Sequence, residues 1–160
     1  MNKLYKIITY LFSPVDRRIK LYIKFMLHCK KKDYPRLGEI ISRRLQVRHG
    51  VFLSYSATFD HSLTFYHPVG IIIGNGCTIG KNVSIFQNVT IGRSDKLVDA
   101  YPKVGDNSII YAGAVLIGDI EIGRNCIVGA NAVVTKSMPD NSLAIGVPAK
   151  IIQRNKPEGR

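Results

Sequence analysis

The sequence predicts a mainly β protein, a parallel β-helix preceded by a basic helical segment. Three observations carry this. An aliphatic residue recurs every six residues, Gly, Asn or Asp recurs at fixed places between, and the excess positive charge lies almost wholly before the repeat begins. A period of six fits neither the roughly 3.6 of an α-helix nor the alternation of a plain strand, but it fits a short strand followed by a tight corner. Three such strands close one triangular coil, and stacked coils pair their backbones about 4.8 Å apart.

The hexads include "IGKNVS", "IFQNVT", then after an interruption that Ile91 opens "VGDNSI", "IYAGAV", "LIGDIE", "IGRNCI", "VGANAV" and "VTKSMP", so that the aliphatic openers are Ile79, Ile85, Ile91, Val104, Ile110, Leu116, Ile122, Val128 and Val134. Their fifth places are small or apolar, as at Val83, Val89, Ser108, Ala114, Ile120, Cys126 and Ala132. Counting back, the phase runs through Ile71, Phe65, Phe59, Leu53 and Val47, with two extra residues placed between Ile71 and Ile79. Fourteen hexads make between four and five coils. An ordinary sandwich would instead show turns about every 8 to 12 residues.

The leader is of a different kind. Residues 1–50 carry 13 Lys and Arg against 3 Asp and Glu, a balance of +10 out of the chain's +12. Three apolar stripes keep helical spacing: Leu4, Ile7, Ile8 and Leu11; Ile19, Tyr22, Ile23, Met26 and Leu27; and Leu37, Ile40, Ile41 and Leu45. The expected boundaries are a basic helical segment at 1–46, the β-helix at 47–153 and a tail at 154–160. The end of a β-helix exposes unpaired strand groups, so the third stripe is expected to cap the prism. The first two are expected to meet an anionic membrane surface. No apolar run approaches the roughly 20 residues of a membrane span and no cleavage site follows the start, so the chain is expected in the cytoplasm, at most against the inner face of the membrane. Cys77 and Cys126 fall at small inward places and read as packing residues, not as a disulfide or metal framework.

One stretch breaks the repeat. "FYHPVGIIIGNG" sets His67 and Pro68 where a hexad needs neither. Together with the loop "GRSDKLVDAYPKVG" and the closing "GVPAKII", this entry resembles the left-handed β-helix acyltransferases, and among them the serine acetyltransferase branch, over roughly residues 47–153. The resemblance implies a left-handed parallel β-helix of about five coils and a homotrimer with acetyl-CoA, the acetyl donor, in the groove between prisms. It further implies that His67 is the general base. An alcohol is a weak nucleophile at neutral pH, and an imidazole of ordinary pKa about 6.5 is partly free to take its proton. Backbone amides near Gly92 are the oxyanion candidates. Ala112, Gly113, Ala130 and Asn131 are candidates to let the pantetheine arm lie close, and Lys103, Lys136, Lys150 and Arg154 to meet its phosphates.

Departures from the serine branch bear on the acceptor. Phe52 stands where the family has an aspartate that orients the histidine, Tyr66 replaces the aspartate just before it, and Ala100 and Tyr101 replace a charged Arg-His pair. A backbone carbonyl or Asp60 is left to orient the His67 ring. Tyr66 and Tyr101 suit a sugar face, and Gln87 and Asn88 its edge. The acceptor is therefore expected to be a saccharide hydroxyl, in cell-surface polysaccharide biosynthesis, lipid-linked or free, with serine O-acetylation as the alternative. His61 shares the third place of the hexad before His67, and its exposed corner gives it no expected role. A zinc site would have to draw on His28, His49, His61 and His67 from one end of the prism. A non-enzymatic basic module is the remaining class. No aromatic stacking set accompanies the basic leader, so nucleic acid is not an expected partner.

Overall fold

The computed structural model describes residues 15–94 and 100–154. The first predicted stripe, Leu4 to Leu11, lies outside the described residues, as does most of the expected tail. Helix α1 occupies Val15–Lys31 and helix α2 Pro35–His49. Fifteen short strands, β1 to β15 in chain order, follow among the described residues and form three faces. The first face stacks β1 (Val51–Leu53), β4 (Ile71–Ile73), β7 (Thr90–Gly92), β10 (Val115–Ile117) and β13 (Val133–Val134). The second stacks β2 (Thr58–Phe59), β5 (Thr78–Ile79), β8 (Lys103–Val104) and β11 (Glu121–Ile122). The third stacks β3 (Thr64–Phe65), β6 (Ser84–Ile85), β9 (Ile109–Ile110), β12 (Ile127–Val128) and β14 (Ser142–Ile145), closed by β15 (Lys150–Gln153), which alone runs antiparallel. The parallel β-helix thus has four coils of three strands and a fifth in which Met138 makes only a bridge to Ile122.

The hexad openers form the inner column. Leu53, Phe59, Phe65, Ile73, Ile79, Ile85, Ile91, Val104, Ile110, Leu116, Ile122, Val128 and Val134 are all buried, and so are the fifth-place residues. Asn at the fourth place has its own cause. Asn82, Asn88, Asn107, Asn125 and Asn131 turn the corners at φ between 54° and 58°, a left-handed conformation that Asn tolerates better than most residues. Cys77 and Cys126 are buried free thiols, and burial pushes Cys77 up to about 11.

Two expectations of phase are corrected. Val51 pairs Ile71, Phe59 pairs Ile79 and Phe65 pairs Ile85, each 20 residues apart, whereas Ile73 pairs Ile91, only 18 apart. The two extra residues therefore lie between Phe65 and Ile71, not between Ile71 and Ile79, and Ile73 opens that hexad. Ile71 and Ile73 are both fully buried on one strand, so an aliphatic pattern alone does not choose between them. Val47 opens no hexad. It lies on α2 and is 78% exposed, and the first strand begins at Val51.

The helices cover the open first coil, but not with the predicted faces. On α2 the buried residues are Gly38, Ser42 and Leu45, while Leu37 and Ile40 face outward. Small residues are needed there: a Cβ at Gly38 would land on the Tyr55 ring, and Ser42 Oγ must reach the Leu53 carbonyl at 2.6 Å. That bond and Lys30 Nζ on the Ala57 carbonyl, also 2.6 Å, satisfy acceptors of the first coil. Ile19, Ile23 and Met26 of α1 are buried in the same core, so the second stripe packs on the protein rather than meeting a membrane. No helix among the described residues is long and apolar enough to cross a membrane.

Candidate functional site

The two-residue excess makes the chain bulge at the edge between the third and first faces, and His67 stands on that bulge. It is exposed, its φ is 49°, and its ring has no hydrogen-bond or ion-pair partner among the described residues. Register fixes what lies along this edge. Because Phe65, Ile85, Ile110 and Val128 align, the column continuing from His67 is Gln87, Ala112 and Ala130, and the column before it is Tyr66, Phe86, Tyr111 and Gly129.

The three aromatics form a ladder. Tyr66 stacks on Phe86 at 4.9 Å between centroids and 18°, and Phe86 meets Tyr111 at 5.0 Å and 33°. Tyr66 and Tyr111 keep exposed surface. Beside them the Gln87 side-chain carbonyl is buried without a partner among the described residues. Such an orphan acceptor costs about 1–3 kcal/mol until a donor meets it. Further along the edge Ala112 and Ala130 leave the wall low, a form that accepts an extended chain. Asn88 and Asn131 are corner residues whose amides fill the space that a Cβ at Gly70 or Gly113 would take, so their side chains serve the corners. Lys150, exposed, opens β15 opposite Ile145 at the far end of the same edge.

Other predicted residues lie elsewhere on the prism. Gly92 ends β7 at the edge between the first and second faces, where a Cβ would meet nothing within 4 Å. Gly70 and Gly92 stand at opposite ends of the first face, roughly 13 Å apart at about 3.3 Å per residue for four residues. One protomer therefore does not bring His67 and Gly92 onto the same thioester. Lys136, exposed, follows β13 at the Gly92 edge. Tyr101 is half-buried there, its ring over Gly76 and 5.7 Å from the Arg93 guanidinium, whose Nη1 donates to its hydroxyl at 3.3 Å. A sugar would have to displace that packing.

Lys103 is held by Glu121 on the next coil at 2.7 Å, and that hydrogen bond and charge push its pKa up. Arg154 lies at the third edge, with Nη1 donating to the Asn125 carbonyl at 3.5 Å. Neither lies on the His67 edge.

Asp60 does not orient His67. Its Oδ1 accepts from Ser62 N at 2.9 Å and Ser62 Oγ at 2.6 Å and lies 3.1 Å from His61 Nδ1, and the Ser62 hydrogen bonds hold its carboxyl down to about 2. It follows β2 while His67 follows β3, so the two occupy different edges. Phe52 pairs in register with Ile72 on the first face. Sequence reasoning named Gln87 but missed Phe86, the middle ring of the ladder. The signal was present, since Tyr66, Phe86 and Tyr111 each follow a hexad opener, Phe65, Ile85 and Ile110, on the same face.

Two family models match the prism: the hexapeptide repeat of succinyl-transferase over residues 68–93 and the bacterial transferase hexapeptide (six repeats) over 101–136. A serine acetyltransferase of Mycobacterium tuberculosis is 46% identical over 57 residues, 36% of this chain and 25% of that enzyme. Among solved structures, serine acetyltransferase from Brucella abortus aligns at TM-score 0.78 and 28% identity, covering 84% of this chain and 55% of that one. A serine acetyltransferase in complex with CoA aligns at TM-score 0.76 and 30% identity, covering 90% and 60%. The match to the curated enzyme spans a quarter of its length, and those to the two solved chains little more than half.

Proposed function

We propose that the chain is an acetyl-CoA-dependent O-acetyltransferase in which His67 is the general base, acting as a homotrimer in the cytoplasm. The observation that carries the reading is the corner bulge: an unpartnered, exposed imidazole at the head of an edge whose wall drops to Ala112 and Ala130. Acetyl-CoA lies along that low wall, with Gly113 and Asn131 shaping it and Lys150 at the phosphate end. The names of the solved relatives support this donor, since one of them was solved with CoA.

His67 takes the proton of the acceptor hydroxyl as its oxygen attacks the thioester carbonyl, the C–S bond breaks, and the protonated His67 returns that proton to the departing thiolate of coenzyme A. Charge developing on the carbonyl oxygen is met by backbone amides near Gly92. Because Gly92 stands across the first face, those amides come from the neighbouring prism. This is why the site calls for more than one copy. Lys136, at the Gly92 edge, reaches the same groove from that neighbour.

The acceptor best supported by the comparisons is serine, the substrate in the names of the relatives. One feature favours a saccharide instead. The Tyr66–Phe86–Tyr111 ladder offers aromatic faces beside the base, and Gln87 offers a carbonyl that needs a donor hydroxyl. Acetyl-CoA turnover by the full chain, measured against serine, simple sugars and nucleotide-sugars, separates the readings. Turnover with serine alone selects the first, turnover with sugars the second, and none with any hydroxyl acceptor defeats both.

A further inference from the structure

The head of the His67 edge carries cations that acetyl transfer does not use. His49 ends α2, and Gly50, in left-handed conformation at φ 65°, stacks on the next coil: a Cβ there would lie 3.5 Å from Gly70 N and 3.6 Å from Val69 Cγ2. His49 thus sits one coil step from the bulge bearing His67. Its ring meets Tyr22 of α1 edge-on at 5.6 Å. One turn back along α1 is Arg18, whose Nε is buried with no partner among the described residues. Arg48 precedes His49 and lines, with Arg44, Tyr22 and Phe25, a groove of about 220 Å³ between the two helices.

Arg18 and Arg48 both lie near enough to His49 for their charges to act on it. His49 is pushed down by its burial and then by the charges of Arg18 and Arg48. No acidic side chain among the described residues pairs with Arg18, Arg44 or Arg48. A buried guanidinium N–H without an acceptor is costly, and like charges packed together raise that cost. A dianion removes both penalties, because planar guanidinium groups match phosphate oxygens two at a time.

We propose that the acceptor bears a phosphate or diphosphate, held by Arg18, Arg48 and His49 at the head of the edge while its hydroxyl reaches His67. This rests on the O-acetyltransferase reading and narrows it to phosphorylated acceptors, a class that excludes free serine. The same chemistry is offered by a soluble nucleoside diphosphate or by a diphosphate carried on lipid.

The test uses the full chain with coenzyme A saturating, so that pyrophosphate cannot report on the donor's own phosphate site. Calorimetry should show pyrophosphate binding to the unaltered protein and to His67→Asn. Binding should weaken at least tenfold in Arg48→Gln and further in Arg18→Gln/Arg48→Gln. It should be retained in Lys31→Gln/Arg36→Gln, which removes the same charge elsewhere. Arg48→Gln alters an exposed side chain, so it keeps the test open should the double variant fail to fold. No pyrophosphate binding, or equal weakening in Lys31→Gln/Arg36→Gln, overturns the proposal. So does binding only to phosphatidylglycerol vesicles, which would make the cluster part of a lipid-facing surface. Failure of acetyl transfer with any acceptor while pyrophosphate still binds at Arg48 refutes the enzyme reading and leaves the anion site standing.

Discussion

Replacing His67 tests the chemistry only if the corner survives. His67 holds φ 49°, where a side chain other than Gly, Asn or Asp costs about 1–2 kcal/mol, so His67→Ala mixes loss of the base with altered backbone strain. His67→Asn avoids this, because six asparagines among the described residues, Asn82, Asn88, Asn107, Asn125, Asn131 and Asn141, adopt the same conformation at corners of this prism. The ring is exposed and makes no hydrogen bond within the described residues, so its removal should change the unfolding free energy by less than about 0.5 kcal/mol. Loss of a positioned base should lower turnover by about 10² to 10⁴, or roughly 3–5 kcal/mol in the barrier. Coenzyme A release, followed with a thiol reagent at saturating donor, reads the turnover, and a urea titration reads the stability. Turnover within threefold of the unaltered protein, at unchanged stability, would refute His67 as the base.

Other outcomes follow from packing and charge. Leu45→Ala should cost about 2–5 kcal/mol because Leu45 is fully buried, whereas Val47→Ala should be neutral in the same urea titration. Gly76→Ala should destabilise by about 1–3 kcal/mol, since its φ is 74° and the new methyl would enter the Tyr101 ring, while Gly92→Ala should leave stability unchanged and lower turnover. Asp60 has its carboxyl lowered from 3.8 to about 2 by Ser62, so the stability it contributes is present above the unfolded value and lost as pH falls through about 2. The gap in melting temperature between the protein and Asp60→Asn should accordingly be full at pH 6 and close toward pH 2. Cys77, pushed up to about 11 by burial, should resist thiol reagents at pH 8 until the prism unfolds.

The prism was legible because its core is built from one kind of signal, an aliphatic residue every six places, and the deviations show where that signal fails. At Ile71 and Ile73 two buried aliphatics alternate on one strand, so hydrophobicity cannot fix the phase; only the pairing of Leu53 with Ile73 does. On α2 the apolar stripe pointed to Leu37 and Ile40, but contact with Tyr55 and the Leu53 carbonyl selects Gly38 and Ser42, small residues that a periodicity of apolar groups does not register. His67 stood out for the opposite reason, as a residue the repeat does not need. Its surroundings were harder to read. Asp60, seven residues away, falls on another edge, whereas Gln87 and Ala112, 20 and 45 residues away, stand in its column. Sequence distance misleads wherever the chain turns a corner every six residues.

Transfer of an acetyl group to oxygen can be observed without kinetics. The full chain, incubated with deuterated acetyl-CoA and the acceptor that supports thiol release, should yield a product heavier by one labelled acetyl group. Hydroxylamine should cleave that group, as it cleaves oxygen esters, and His67→Asn should form none of the product. A labelled acetyl group that resists hydroxylamine as an amide does, or labelled acetate with no modified acceptor, would contradict O-acetylation at this edge.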